Sequence, residues 1–345
     1  MDFRLTPDQR ELRDGLRALL AGRFGPEQLR AAVDGRAGPD GILDALTGAG
    51  LFALRRPVRQ DGLGLGLAEA VLAFEEAGRA LVPGPLVATE LAAAHSASGH
   101  GASGHGADGG AGLAGVVRTP RSDRGPLLVE RLPSLSLLLV LDTGAGEVRT
   151  LDPARLTARQ VRSLDPLTPL WELTAPLPRG ELLSAADPEL LWTEGTLLTA
   201  ALQVGLATRA VETAVGYAKQ REQFGRPIGA FQAVQQLCAE MLARVEPARA
   251  AVRAAALSGV GPGGPPDPVE VAGAKLLADE AAVRGARDCL QVHGGMGFTW
   301  EADVHLLLKR AWLLERMFAG HAECAEKLAS GLLNGMAETY VGHLS

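Results

Sequence analysis

The sequence predicts a mainly α-helical protein with a small β domain inserted between two helical parts. Three observations carry this expectation. Aromatic residues make up only 4% of the 345-residue chain while hydrophobic residues reach 47%, so the core draws on Ala and Leu, the composition of helix-on-helix packing. Apolar residues recur at three- and four-residue spacing in the first hundred residues and again from Asp187 onward. Between these stretches the helical period disappears, and short apolar runs bounded by Pro, Ser, Asp and Gly replace it.

Taken in order, residues 1–99 form the first helical domain. Thr6, Pro7 and Gln9 make a helix start of the capping-box type, and Leu12, Leu16, Leu19 and Leu20 give the following helix one apolar face. A second helix is expected over Gly41–Thr47 and a third over Leu67–Leu81, with a glycine-rich loop from Gln60 to Gly66 between them. Residues 100–112 close a Gly/Ala/Ser/His stretch that starts at Ser96 and reads as a flexible linker. Its His100 and His105 are metal-ligating residue types, but in so flexible a segment a solvated linker is the better reading, and no metal is expected. Residues 113–186 form the β domain, with strands expected at Leu127–Glu130, Leu135–Leu141, Val148–Leu151 and Trp171–Thr174. Residues 187–345 form a helical bundle, with helices expected from Asp187 to Gln220, Ile228 to Ser258, Pro268 to His293, Glu301 to Phe318 and His321 to Leu333.

Charge and composition remove several function classes. The formal charge of −6 argues against nucleic-acid binding. No uninterrupted apolar run of the length needed to span a bilayer is visible, and the first residues are charged without an apolar segment behind them, so neither membrane insertion nor secretion is expected. Three scattered cysteines, Cys238, Cys289 and Cys324, fit a reducing cytoplasm better than a disulfide framework.

Two clusters carry chemistry. In Tyr217–Gln235, YAKQREQFGRPIGAFQAVQ, a tight Gly-Arg-Pro turn joins two long helices. Arg221 can give paired hydrogen bonds to a phosphate, Phe224 can cover a flat heterocycle, and Gln232 can bond a polar edge. Read alone, the same segment is better taken as an inter-helix turn with Arg221 in a surface ion pair. In Gln291–Glu301, QVHGGMGFTWE, Gly294, Gly295 and Gly297 permit close backbone approach to a ligand or a neighbouring chain. The bland reading of that cluster is a helix C-cap.

Together these clusters resemble the acyl-CoA dehydrogenase family, through RxxFGxPIxxFQ and QxxGGxGF on bundle helices in this order and separation. The segment Gly62–Leu81 resembles the family's N-terminal domain, and His293–Ala311 resembles an actinobacterial branch acting on steroid side chains or other bulky acyl thioesters. The resemblance implies FAD as cofactor, with Arg221, Phe224 and Gln232 on its adenosine diphosphate part and Gln291, Gly294 and Gly295 meeting the same cofactor from an adjacent subunit. It also implies an acyl thioester of CoA or a carrier protein as substrate. The assembly implied is a homodimer, a homotetramer or a mixed tetramer with an unlike homologue. The reaction implied is α,β-dehydrogenation, in which a positioned Glu takes the α-proton while hydride leaves the β-carbon for the flavin.

The sequence departs from the family at that Glu. Its usual place corresponds to Phe318, or to Ala319 with a one-residue shift, and neither accepts a proton. An alternative base position on the preceding long helix corresponds to Gly195, with Glu194 beside it. Glu194 is the candidate base, against the reading of a helix-terminal carboxylate favoured by the helix dipole. Glu315 and His321 are lesser candidates. The expected β domain also lacks the family's Thr-Glu-Pro-Gly-like segment and reads as shortened. A subunit without its own base, completing the FAD site of an unlike partner, is therefore the alternative to an active dehydrogenase.

Overall fold

The computed structural model describes residues 4–95, 112–119, 125–184, 186–259 and 264–342. The expected linker, apart from Gly112, and with it His100 and His105, lies outside the described residues. The chain divides into two compact units. One spans Leu5–Gly195 and the other holds Thr196–Ser345 with the first four residues.

In the first unit, α1 (Pro7–Arg23) starts as its sequence predicts. The Gln9 amide donates to Thr6 Oγ1 at 3.2 Å and the Thr6 amide donates to Gln9 Oε1 at 3.1 Å, so two otherwise orphaned donors are satisfied. Leu16 and Leu20 are buried on the face this sets. Short helices α2 (Pro26–Val33) and α3 (Asp40–Gly48) follow, α2 being one that the periodicity did not separate. α4 (Leu67–Arg79) takes its start from Glu69, whose Oε2 accepts from the Gly66 amide at 3.0 Å. Arg17 of α1 grips Glu76 of α4 at 2.6 Å, and Gln9 reaches Glu69 at 2.8 Å, fixing the two helices side by side.

α5 (Leu86–His95) is buried along Leu86–Ala93, with Thr89 and Glu90 inside as well as its apolar residues. A helix apolar nearly all round belongs in a core. It packs on a short 3₁₀ turn, Leu51–Ala53, and on the first strand of the β region, where the Ala114 amide donates to Thr89 Oγ1 at 3.1 Å. The loop after Arg56 turns back on itself: the Leu63 and Leu65 amides donate to the Ala53 and Leu54 carbonyls, both at 2.8 Å. Gly62 is obligatory there, because a Cβ at that position would lie 2.0 Å from the Arg56 carbonyl oxygen.

The β region holds two sheets. The first runs β1 (Leu113–Thr119), β3 (Leu135–Asp142), β4 (Glu147–Leu151), β7 (Glu181–Leu182); the second runs β2 (Leu128–Glu130), β6 (Leu170–Leu173), β5 (Ala158–Val161). β1 and β3 pair in parallel, Val116 opposite Leu139, and β3 and β4 pair antiparallel, Leu139 opposite Thr150. Val117, Val129, Leu132, Leu138, Val140 and Leu151 form their common core. The four expected strands are present within one residue at each end. β1, β5 and β7 are additional; β5 and β7 are short and carry polar side chains, so neither shows an apolar run.

In the second unit two of the long helices follow their predicted spans closely, while two are shorter and the last is longer than expected. α6 (Pro188–Gln220) crosses the boundary between the units, and α8 (Pro268–His293) has the predicted limits. Asp267 caps α8, its Oδ1 accepting from Val269 at 2.7 Å and Glu270 at 3.0 Å. α7 is shorter than expected, Gln232–Ala255, because Ile228–Ala230 form a separate 3₁₀ turn after Pro227. α9 is also shorter, Val304–Leu314, and α10 is His321–Gly342. α8 packs against α7, α9 and α10 and is the axis of this bundle. α6 is long and apolar enough in composition to cross a membrane, which the search for uninterrupted apolar runs missed, but 89% of that stretch is buried inside the protein.

Candidate functional site

The two sequence clusters lie in the second unit, and aromatic contact joins them. Tyr217, in the last turn of α6, stacks on His293, the last residue of α8, at 4.1 Å between centroids. His293 Nδ1 lies 2.8 Å from the Cys289 carbonyl, an atom that only accepts, so Nδ1 carries the hydrogen. Burial holds the imidazole below its ordinary pKa, against the opposing pull of that bond. The same burial pushes the Cys289 thiol up to about 12, which makes it inert.

After α6 the chain forms a minimal hairpin, β8 (Glu222–Gln223) and β9 (Arg226–Pro227), turning through Phe224 and Gly225. Both turn residues have positive φ, +53° and +76°, the geometry of the two-residue hairpin turn. Glycine takes this conformation freely, whereas a phenylalanine in it is strained. The result is an aromatic ring 91% exposed, its edge against Phe231, whose other contact is the Arg226 guanidinium at 4.3 Å. Arg221 and Gln232 are exposed on the same junction. Among the described residues the Arg221 guanidinium makes no ion pair, so the surface-pair reading of this residue does not hold.

α8 ends at Gly294, with φ +58° and ψ −140°, a combination open essentially to glycine alone. The helix-cap reading of this segment therefore holds. Gln291, Gly294 and Gly295 are exposed, and a Cβ on either glycine would meet open space. Phe298 and Trp300 follow, 78% and 60% exposed. An exposed guanidinium and open backbone N–H groups are chemically able to bind phosphate.

Glu194 belongs to the first unit, and its setting differs from expectation. It sits in the second turn of α6, past the reach of the helix dipole on a terminal residue, and its side chain is 5% exposed. Arg55 Nη2 lies 2.6 Å from one oxygen and His95 Nε2 lies 2.7 Å from the other. Burial alone would raise its pKa, but the His95 bond and the Arg55 charge and bond outweigh it and hold the carboxyl below its ordinary value. It is thus an ionised carboxylate with both oxygens occupied. Close by is Glu90 of α5, fully buried, with neither oxygen hydrogen-bonded. Burial pushes it up to about 8 despite Arg55, and the Glu194 charge adds to the rise.

The segment at the family's usual base position is closed and apolar. Phe318 has φ +53° and is buried, as is Ala319. The Ala319 amide donates to Thr196 Oγ1 at 3.4 Å, and its carbonyl accepts from Cys324 Sγ at 3.7 Å. Glu315 ends α9, half-buried, and His321 is exposed at the start of α10. Arg55, Glu90 and His95 escaped the sequence reading. One signal existed: a lone Glu in LVATELAAAH, a helix otherwise apolar all round.

With this geometry in place, comparison with known proteins is decisive. Residues 6–103 match the family model "Acyl-CoA dehydrogenase, N-terminal domain" and residues 193–329 match "Acyl-CoA dehydrogenase, C-terminal domain". Acyl-CoA dehydrogenase IpdE2 of Mycobacterium tuberculosis is 34% identical over 335 residues, 94% of this chain and 97% of that protein. The chain belongs to the acyl-CoA dehydrogenase family. Acyl-CoA dehydrogenase FadE34 of the same organism is 36% identical over 285 residues, 78% of this chain but only 39% of the relative's length. Among solved structures, the ChsE4-ChsE5 complex from Mycobacterium tuberculosis superposes with a TM-score of 0.81 at 24% identity, covering 96% of this chain and 99% of the other. Butyryl-CoA dehydrogenase from Megasphaera elsdenii gives 0.73 at 20% identity, covering 96% and 100%. These likenesses show the fold. The chain is an oxidoreductase of this flavoprotein family, with FAD as its cofactor.

Proposed function

We propose that the chain is a subunit of an oligomeric FAD-dependent dehydrogenase that introduces an α,β double bond into an acyl thioester. The observation that carries this reading is the exposed face of the second unit. There Phe224 is presented on strained backbone beside the unpaired Arg221, and Gly294 and Gly295 leave their backbone open. Arg221 would hold the pyrophosphate by paired N–H donors, Phe224 would cover the adenine, and Gln232 would bond a polar edge. Gln291, Gly294 and Gly295 would offer the side-chain amide and backbone N–H groups to the same cofactor held by a second copy. FAD, when bound, supplies the acceptor for the two electrons that leave with the β-hydrogen. Free cysteines throughout the described residues support a cytoplasmic setting.

The α-proton needs a carboxylate, and here the geometry favours a second reading for this step alone. Phe318 and Ala319 accept no proton, and Glu194 has both oxygens engaged. The base would then come from an unlike homologue in a mixed assembly, or from Glu194 after release from Arg55. Anaerobic mixing of the FAD-loaded protein with a panel of acyl-CoA thioesters tests the proposal, with loss of visible flavin absorbance as the readout. Bleaching by the chain alone, abolished in Glu194→Gln, would identify Glu194 as the base. Bleaching only after a Glu-bearing homologue is added would place the base on the partner. No bleaching in either mixture would contradict the proposed reaction.

A further inference from the structure

Four titratable side chains and a second arginine meet inside the first unit, and their hydrogen bonds are unevenly shared. Arg55 gives Nη2 to Glu194, while its Nη1 is buried with no acceptor. Glu194 has both oxygens filled, by Arg55 and by His95 of α5. Glu90, five residues before His95 on the same helix, is 0% exposed and has both oxygens unmatched. Arg55 and Arg56, on the segment after the 3₁₀ turn, and Glu194, on α6, are the charged groups that act on Glu90. Arg56 gives Nη2 to the Asp61 carbonyl at 2.9 Å, while its Nε is buried with no acceptor. Of the two guanidinium groups that act on Glu90, Arg55 is the one bonded to the other carboxyl group, Glu194.

We propose that Glu90 is a positioning residue for Glu194, the two carboxyl groups competing for Arg55 with a single proton between them. With the proton on Glu90, Arg55 stays on Glu194 and holds it ionised and engaged. When Glu90 loses the proton, it becomes a second anion in a buried space and draws the open Nη1 edge of Arg55. Glu194 then keeps His95 and gives up part of its hold on the guanidinium. No bond other than O–H is made or broken, and the proton leaves to solvent. Carboxyl groups so coupled titrate as a pair, one low and one high. This inference rests on the reading of Glu194 as the chain's candidate base for its significance, while its test needs neither flavin nor substrate.

The test is a pH-difference infrared spectrum of protein labelled with ¹³C-carboxyl glutamate, recorded for wild type, Glu90→Gln and Glu194→Gln, with thermal or urea unfolding alongside. Wild type is expected to show a protonated-glutamate carbonyl band at pH 7 that disappears as pH rises through about 8. Glu90→Gln should lack it. In Glu194→Gln a like charge is gone and Arg55 is released to Glu90, so the band should persist but titrate at lower pH. Unfolding supplies the second readout. A carboxyl whose folded pKa lies above its unfolded value destabilises the fold progressively as pH rises between the two. The wild-type unfolding constant should therefore grow relative to that of Glu90→Gln by close to tenfold per pH unit across that window. A band unmoved by Glu194→Gln would overturn the competition for Arg55. A pH-independent ratio of unfolding constants would overturn the buried proton itself.

Discussion

Glu194 carries the consequences at the scale of single residues. Its folded pKa is lowered, so its contribution to stability is complete above the unfolded value near 4.5 and is lost as pH falls through the folded value. Glu90 acts in the opposite sense, its contribution present below 4.5 and lost as pH rises toward 8. The two together confine maximal stability of the first unit to mildly acidic pH, as urea unfolding across pH would show. Removing Glu194 as Glu194→Ala takes the shared anion from His95 and turns Arg55 toward Glu90, and should cost about 1–3 kcal/mol at pH 7. Arg221→Ala and Phe224→Ala should each weaken FAD binding by about tenfold or more, since a charge-assisted phosphate bond or a stacked ring is worth roughly 1–3 kcal/mol. Neither substitution should lower the unfolding midpoint, because both side chains are exposed. Arg221, Phe224 and Gln232 could be picked out from sequence because their spacing is local. The Arg55–Glu194 bond spans 139 residues of sequence and leaves no local pattern to read.

The elements were legible where a cap or an unbroken period marks them. Thr6 and Gln9 announce α1, and Asp267 with Pro268 announces α8, both as the structure has them. Thr6→Ala should lower the stability of the first unit by about 1 kcal/mol, measured by urea unfolding, because the bond from the Gln9 amide goes with the hydroxyl. Gly294 ends α8 in a conformation that a Cβ opposes, so Gly294→Ala should cost about 1–3 kcal/mol and move the exposed backbone beside Gln291. FAD retention on gel filtration should fall with it. Strands β5 and β7 were not legible, because their pairing comes from sheet neighbours rather than from their own residues. The hairpin β8–β9 was read as a turn, since two residues per strand are too few to show alternation.

For the whole molecule, the chain carries the motifs RxxFGxPIxxFQ and QxxGGxGF through which it resembles its family, and Phe318 or Ala319 stands at the position proposed for the base. Phe318 and Ala319 are buried in a closed turn, which makes that departure structural as well as chemical. Introducing the missing group as Ala319→Glu should raise the rate of flavin bleaching by an acyl-CoA at least tenfold over the parent chain. An unchanged rate in a folded, FAD-loaded variant would show that the base enters from another position or another subunit. The shared exposure of the aromatics Phe224, Phe298 and Trp300 was not legible, because sequence does not display it.

The exposed Arg221 and Phe224 junction of the second unit is proposed to hold FAD. Reconstitution decides it most directly: the purified chain is incubated with FAD, desalted, and its visible spectrum compared with that of Arg221→Ala treated identically. Retention of a flavin spectrum by the parent chain, with strong loss in the variant, is the predicted result. A parent chain that emerges colourless, or a variant that keeps as much FAD as the parent, would contradict the assignment.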